Sequence, residues 1–165
     1  MSHPFDTLAI PAVDGRLLLT PCPGTQAASP SLARYTLQQA GASGVISLMP
    51  ATELQQNGAD GMGAACGQLG LAWFYLPLAD ECAPRADFAS ARQAVAPDLL
   101  ARLRAGQCLA MHCKGGSGRT GLFAARILMA LGVPRSTAIA QVQALRPKAM
   151  QHPVHQAWIG QYDAV

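Results

Sequence analysis

Charge is scarce in this sequence. Lys, Arg, Asp and Glu make up 13% of its 165 residues, and only two of the twelve basic residues are lysines. Half of the chain is hydrophobic, so the scarcity marks a globular chain with ample material for one core, not a disordered one. Nothing approaches the run of about 20 apolar residues that a membrane-spanning helix needs. An export signal is also missing: the stretch MSHPFDTLAI has no basic start, and Asp6, Asp14 and Arg16 interrupt any apolar segment. The five cysteines are an odd number at irregular spacing, without a C-x-x-C pair, which disfavours both a disulfide framework and a zinc site. His3, His152 and His155 have no metal-ligand partners in the pattern around them. The expectation is a cytoplasmic protein in a reducing compartment, with no metal or other cofactor and no membrane partner.

The few charges lie unevenly. From residue 99 onward eight basic residues face one acid, Asp163, whereas residues 1–98 hold four arginines and eight acids. A solvated basic face would account for this, and so would an anionic ligand. Nothing else in the sequence points to a nucleic acid.

Short apolar strands alternate with helices along the chain. LARYTLQQAGASGVISLMP predicts a helix from Ser31 to Ala40, stopped by Gly41, and a buried strand through Val45, Ile46 and Leu48. MGAACGQLGLAWFYLPLAD repeats the pattern, with Gly70 as the stop and a strand from Ala72 to Leu76. A helical stretch from Asp87 to Arg104 follows, either kinked at Pro97 or split there into two helices. Then come the strand QCLAMHC and a helix, GLFAARILMALG, that is apolar nearly all round and therefore central. STAIAQVQALRP and HPVHQAWIGQY read as two more helices, and Leu8–Ile10 and Leu17–Leu19 as N-terminal strands. Without repeats, low-complexity tracts or a boundary, residues 1–165 read as one α/β domain with a small, largely parallel central sheet flanked by helices.

The densest chemistry is MHCKGGSGRTG, residues 111–121. A flexible linker makes little sense between a buried strand and a buried helix. A nucleotide loop requires G-x-x-x-x-G-K-[ST], but Arg119 stands at the lysine position and the glycine spacing fails. A thiolate site uses every residue. A strand-to-helix turn aims backbone N–H groups inward, and the helix N-terminus adds partial positive charge. Gly115, Gly116 and Gly118 permit unusual backbone angles and close approach, with Lys114 and Ser117 completing the cradle. Cys113 opens the loop near the guanidinium of Arg119, surroundings that lower a thiol pKa from about 8.5 toward roughly 3.5 to 7.5. The planar fork of Arg119 suits two oxygens of one phosphoryl group. Thr120 can donate its hydroxyl to the sulfur.

HCKGGSGRTG resembles the H-C-x-x-G-x-x-R-[ST]-G signature of the cysteine-dependent protein tyrosine phosphatases. The resemblance covers nearly the whole chain and is nearest to the cyclin-dependent-kinase-associated branch of the dual-specificity group, through LTPCPGT, GVISLMPATEL, LPLAD and ALRPKAMQ. The alanine-rich, lysine-poor composition suggests a bacterial relative. The resemblance implies a general acid about thirty residues before the cysteine, and Asp80 in LPLAD lies 33 before Cys113. Glu81 and Asp87 are the reserves. Gln151 resembles the glutamine that orients water in the second step, although Gln156 comes one residue late and Gln143 replaces a frequent arginine. His112 reads as a structural support of the loop. Cys22, Cys66, Cys82 and Cys108 read as small apolar packing residues, and Trp73 and Trp158 as packing residues too.

These residues lead to a phosphomonoesterase that forms a phosphocysteine, and the resemblance implies a tyrosine or dual-specificity phosphatase acting on a phosphorylated protein or peptide. A phosphoinositide phosphatase is the first rival, opposed by Ser117 where such loops carry a second lysine. A catalytically silent phosphoprotein-binding module is the second, opposed by the presence of both Cys113 and Arg119. A sulfur-transferase or arsenate-reductase reading shares Cys-x5-Arg but does not account for His112, Thr120 and Asp80.

Overall fold

Twelve elements follow one another in the computed structural model, which describes residues 2–162. They are β1 (Asp6–Ala9), β2 (Arg16–Thr20), α1 (Pro30–Gln39), β3 (Ala42–Ser47), α2 (Ala51–Gln56), α3 (Met62–Gln68), β4 (Ala72–Tyr75), α4 (Ala86–Arg104), β5 (Cys108–His112), α5 (Gly118–Ala130), α6 (Arg135–Leu145) and α7 (Pro153–Gly160). The five strands form one sheet in the order β1-β2-β5-β3-β4. β5 lies between β2 and β3 and runs parallel to both, β4 is parallel to β3, and only the edge strand β1 is antiparallel. The sheet is therefore largely parallel, and the chain is an α/β domain.

The three central strands carry continuous apolar runs because both faces of the sheet are covered. Leu17, Leu18 and Leu19 on β2, Val45 and Ile46 on β3, and Leu109, Ala110 and Met111 on β5 are all buried. The residues at their carboxyl ends stand in register, Thr20 and Ser47 each opposite His112. The loops leaving β2, β3 and β5 thus converge on one edge of the sheet, the place where open α/β sheets bind ligands.

The helix α1 begins as its sequence dictates, with Pro30 in the first turn and the Ser29 hydroxyl accepting from the Leu32 N–H. It ends at Gly41, whose φ of 104° only glycine adopts readily. α4 is one continuous helix through the exposed Pro97, not two. α5 starts before the apolar run and takes Gly118, Arg119 and Thr120 into its first turn. The six-residue α2, which follows Pro50, is too short to show a helical period in the sequence and was not among the expected elements.

α5 is buried almost all round because it crosses the sheet and packs against α6 and the segment after it. Gly121 is the contact point: a Cβ there would stand 2.3 Å from the Cβ of Ala149 and 3.3 Å from a methyl of Val142. The glycine after Thr120 in the loop motif is thus a packing requirement of the helix, not part of the cradle. Gly121→Ala is expected to lose about 1–2 kcal/mol in denaturant unfolding, because overpacking outweighs the helix propensity gained. Gly67→Ala, on α3 with open space around the added carbon, is expected to gain up to about 1 kcal/mol. Equal effects would show that propensity alone governs both positions.

Candidate active site

β5 ends in the middle of the sheet, and residues 113–117 turn the chain into α5. The loop is braced from outside through its carbonyls. The Cys113 carbonyl meets His112 Nδ1 at 3.0 Å, the Lys114 carbonyl accepts from Cys22 N at 2.9 Å, and the Gly116 carbonyl accepts from Arg146 Nε at 2.8 Å. Arg146 is itself fixed by the Leu19 carbonyl and by an ion pair with Asp6. With carbonyls pulled outward, amides turn inward. Gly116 N donates to Cys113 Sγ at 3.2 Å. Among the described residues no acceptor meets the N–H groups of Lys114, Gly115, Ser117, Gly118, Arg119 or Thr120. Ser117 precedes α5 without a side-chain cap, so the positive end of that helix opens on the same space.

The three loop glycines are not equivalent, contrary to expectation. Only Gly116 has a left-handed φ, 79°, and a Cβ there would lie 2.6 Å from the Thr20 carbonyl. At Gly115 and Gly118 a Cβ would meet open space, so no protein atom demands glycine there.

His112 supports the loop as the sequence suggested. It is fully buried, and its Nε2 lies 2.6 Å from Ser47 Oγ, which also accepts from Trp73 Nε1 at 2.9 Å. The chain of donors runs from indole to hydroxyl to imidazole to the Cys113 carbonyl. Burial pushes the His112 pKa down to about 4, against the opposing pull of its bond to Cys113, so the ring is neutral near pH 7. Trp73 is more than a packing residue: it is 36% exposed and ends this chain.

Arg119 is the largest fully buried side chain, only 1% exposed. Its end-on edge is taken by Glu53, Nη1 to Oε2 at 2.6 Å and Nη2 to Oε1 at 2.8 Å. Nη1 also donates to the Leu78 carbonyl at 2.9 Å. Burial opposes its charge, but the Glu53 bonds and nearby Cys113 outweigh this and hold its pKa above the ordinary value. The side-on edge makes no hydrogen bond through Nε and meets only a long ion pair with Asp80, whose Oδ1 is 3.6 Å away. Glu53 is a site residue that sequence reading missed. It sits on the unexpected α2, 66 residues before Arg119, and an isolated glutamate in ATELQQ carries no local mark of its partner.

Asp80 reaches the same space from the segment after β4. A cleft of about 340 Å³ has Cys113, Arg119 and the loop at its floor, Asp80 on one wall, and Thr25 and Gln26 at the rim. Lys114, Gly115, Ser117 and Gly118 also line it. The Asp80 carboxylate accepts from Glu81 N at 3.0 Å and its side chain is 64% exposed. Neither reserve lines this cleft: Glu81 is exposed, and Asp87 accepts from Phe88 N in the first turn of α4.

Two expected contacts are absent. Thr120 is buried, and its hydroxyl makes no bond to Cys113 or to any other described group. As part of the first turn of α5, it belongs to the helix and not to the loop mouth. Gln151 is exposed, bonds the Pro147 carbonyl at 3.3 Å and does not line the cleft. The buried Met150 before it adopts φ 58° and turns the chain outward there. Gln143 bonds the Ala149 carbonyl and so steadies this segment from α6. Of the other cysteines, Cys22, Cys66 and Cys108 are buried, and burial pushes the first two thiols up to about 12 and about 11. Cys82 is half-buried.

Residues 76–144 match the model of a family described as "Tyrosine phosphatase family". The fold is similar to that of a kinase associated phosphatase carrying serine at its catalytic cysteine, with a TM-score of 0.84 and 20% identity over 96% of this chain and 93% of that one. Human DUSP28 gives 0.65 and 20% identity over 98% and 95%. PTPMT1 in complex with PI(5)P gives 0.67 and 18% identity over 87% and 86%. No curated protein matches the sequence significantly. The family model agrees with the loop's resemblance over residues 76–144, and the solved structures share the fold of the whole domain.

His112 gives the site a defined acid sensitivity. Its folded pKa, about 4, lies below the ordinary 6.5, so between these values the unfolded chain binds more protons. Stability therefore falls as pH drops from about 6.5 toward 4, by on the order of 3 kcal/mol for this group. Imidazole nitrogen shifts should show His112 neutral at pH 5.5. A protonated ring at that pH would remove the donor chain described above.

Proposed function

We propose that this chain is a metal-independent phosphomonoesterase acting through a phosphocysteine, with Cys113, Arg119 and Asp80 as its catalytic residues. The observation that carries the reading is the side-on edge of a buried arginine, which makes no hydrogen bond through Nε. A buried N–H without an acceptor is costly, and this one is aimed into a cleft floored by a cysteine and ringed by free amides. A tetrahedral dianion supplies the missing acceptors: two oxygens for Nε and Nη2, the third for the loop N–H groups.

In this mechanism the Cys113 thiolate attacks phosphorus in line, forming the S–P bond as the P–O bond to the leaving group breaks. Asp80, protonated, delivers its proton to the departing oxygen. The cradle holds the three equatorial oxygens throughout. Asp80 then takes a proton from water, which attacks phosphorus and breaks the S–P bond, releasing phosphate and the thiolate. Lys114, Gly115, Gly116, Ser117 and Gly118 bind the phosphoryl group through their amides. Thr120 contributes as a first-turn amide, since its hydroxyl is not engaged with the sulfur, and Gln151 takes no part in the geometry described. The substrate is a phosphorylated protein or peptide. Support for this over a phosphoinositide is that Ser117, not a second lysine, lines the cleft, leaving Lys114 and Arg119 as its cations among the described residues.

Activity on aryl phosphates should resist chelators and be blocked by vanadate and by thiol alkylation. Cys113→Ser should abolish turnover yet still bind vanadate, because the amides and Arg119 remain. Arg119→Lys should lose most activity, since a point charge cannot both hold Glu53 and present an edge to phosphate. Turnover abolished by chelation but untouched by iodoacetate would overturn the mechanism.

Asp80→Asn should slow a poor, alkyl or tyrosyl leaving group by about 10²-fold or more. A fluorinated aryl phosphate, whose leaving group needs little protonation, should lose less. Equal losses for both substrates in kcat/KM would move the acid role to Glu81 or Asp87.

A further inference from the structure

Apart from the long ion pair of Asp80 Oδ1 with Arg119 Nε at 3.6 Å, the segment that carries Asp80 has few polar ties. Among the described residues, Pro77–Arg85 makes two hydrogen bonds to parts of the chain beyond itself and α4. One is from Arg119 Nη1 to the Leu78 carbonyl, at 2.9 Å. The other joins His155 Nε2 to the Cys82 carbonyl, at 3.2 Å. Packing adds little around the turn. Ala83 borders a small void of about 80 Å³ with Pro50 and Pro77 on one side, and an open groove with Val154, Ala157 and Trp158 on the other.

Between Asp80 and Cys82 the chain is strained. Glu81 has φ 56°, a left-handed conformation that a side chain disfavours and that persists only where neighbours enforce it. The same turn aims the Glu81 N–H at Asp80 Oδ1. Whatever fixes Glu81 therefore fixes the carboxylate. The bond at Cys82 is the tie on the far side of this turn, and it comes from α7, an element with no other role in the site.

We propose that His155 is a positioning residue for the general acid: its bond to the Cys82 carbonyl holds the Glu81 turn, and with it the Asp80 carboxyl, in the cleft shared with Cys113. A carbonyl only accepts, so Nε2 carries the hydrogen. The ring is 3% exposed, and burial, the largest influence on it, holds its pKa below the ordinary value, consistent with a neutral donor. α7 is anchored to keep the ring in place: Pro153 opens the helix and the His152 ring accepts from Val154 N. Trp158, one turn further on, packs edge-on against Phe88 of α4. The acid segment is thereby clamped between α5, through Arg119, and α7, through His155.

The inference rests on Asp80 being the general acid, and the test separates the two. The kcat/KM of wild type, Asp80→Asn, His155→Leu, His155→Ala and His155→Gln is measured on an alkyl phosphate and on a fluorinated aryl phosphate, together with each melting curve. Leucine keeps the bulk without a donor; alanine is the alternative, and whichever melts near wild type is read. The donor-less variant should lose about ten- to a hundredfold on the alkyl phosphate, the scale of a misplaced catalytic group, and much less on the fluorinated ester. Glutamine, which can present a donor at similar reach, should restore most of the loss. Combined with Asp80→Asn, the substitution should cost no more than Asp80→Asn alone. Equal losses on both substrates, or no rescue by glutamine, while Asp80→Asn still discriminates between them, would overturn the role of His155 and leave Asp80 standing. If Asp80→Asn itself does not discriminate, both assignments fall.

Discussion

A guanidinium sealed beneath the surface governs this molecule. Arg119 is charged and 1% exposed, and a buried charge is tolerated only when its donors are met. Glu53 meets the end-on edge and the Leu78 carbonyl a further hydrogen. These contacts link α5, α2 and the segment after β4, which are distant in sequence. They also fix the plane of the fork, so that the side-on edge has one direction before any ligand arrives. Lysine at this position would lose that division of labour, because a single ammonium cannot present two edges.

The loop around the arginine obeys the complementary rule. Each of three carbonyls, at Cys113, Lys114 and Gly116, is drawn outward by a different element: β5 itself, the segment after β2, and the end of α6. Phosphate binding by amides needs no reorganisation if the amides already point inward, and these outward ties are what keep them there. The donor chain from Trp73 through Ser47 and His112 extends one tie across β3 to the edge strand β4. The sheet thus supplies both the position of the cysteine and the tension that holds its loop open.

Much of this was legible in the residues. The loop could be read because its chemistry is local: cysteine, glycines and arginine lie within seven residues, between an apolar strand and an apolar helix. The α/β alternation could be read for the same reason, whereas Asp80, in the segment beyond β4, follows only from the family resemblance. What could not be read involves partners far apart in the chain. Glu53 lies 66 residues from Arg119, and Arg146 reaches back to Leu19 and Asp6. The Thr120 hydroxyl, expected at the sulfur from its place beside Arg119, and the Gln151 side chain, expected from the family resemblance, both stand away from the cysteine in this structure. Helix geometry sets the first, since a first-turn side chain on α5 is buried with the helix. Backbone conformation sets the second, through the left-handed turn at Met150.

The two halves of the site are built to opposite standards, and the chemistry explains why. In the proposed mechanism the cradle stabilises charge that is present on the phosphoryl group throughout, so its dipoles gain most when they are rigid and shielded from water. The general acid proposed at Asp80 has a different task. It must give up a proton to the leaving group, then take one from a water molecule that enters where the leaving group departed. A carboxyl sealed under the core could do neither at each turnover. Asp80 accordingly stands 64% exposed at 3.6 Å from the arginine, beyond hydrogen-bond reach, on a strained turn flanked by a void and a groove. Packing does little to position such a turn, because the void and the groove lie directly beside it. Directional bonds from rigid helices on either side leave the carboxyl wet and still aimed. That is the arrangement α5 and α7 provide.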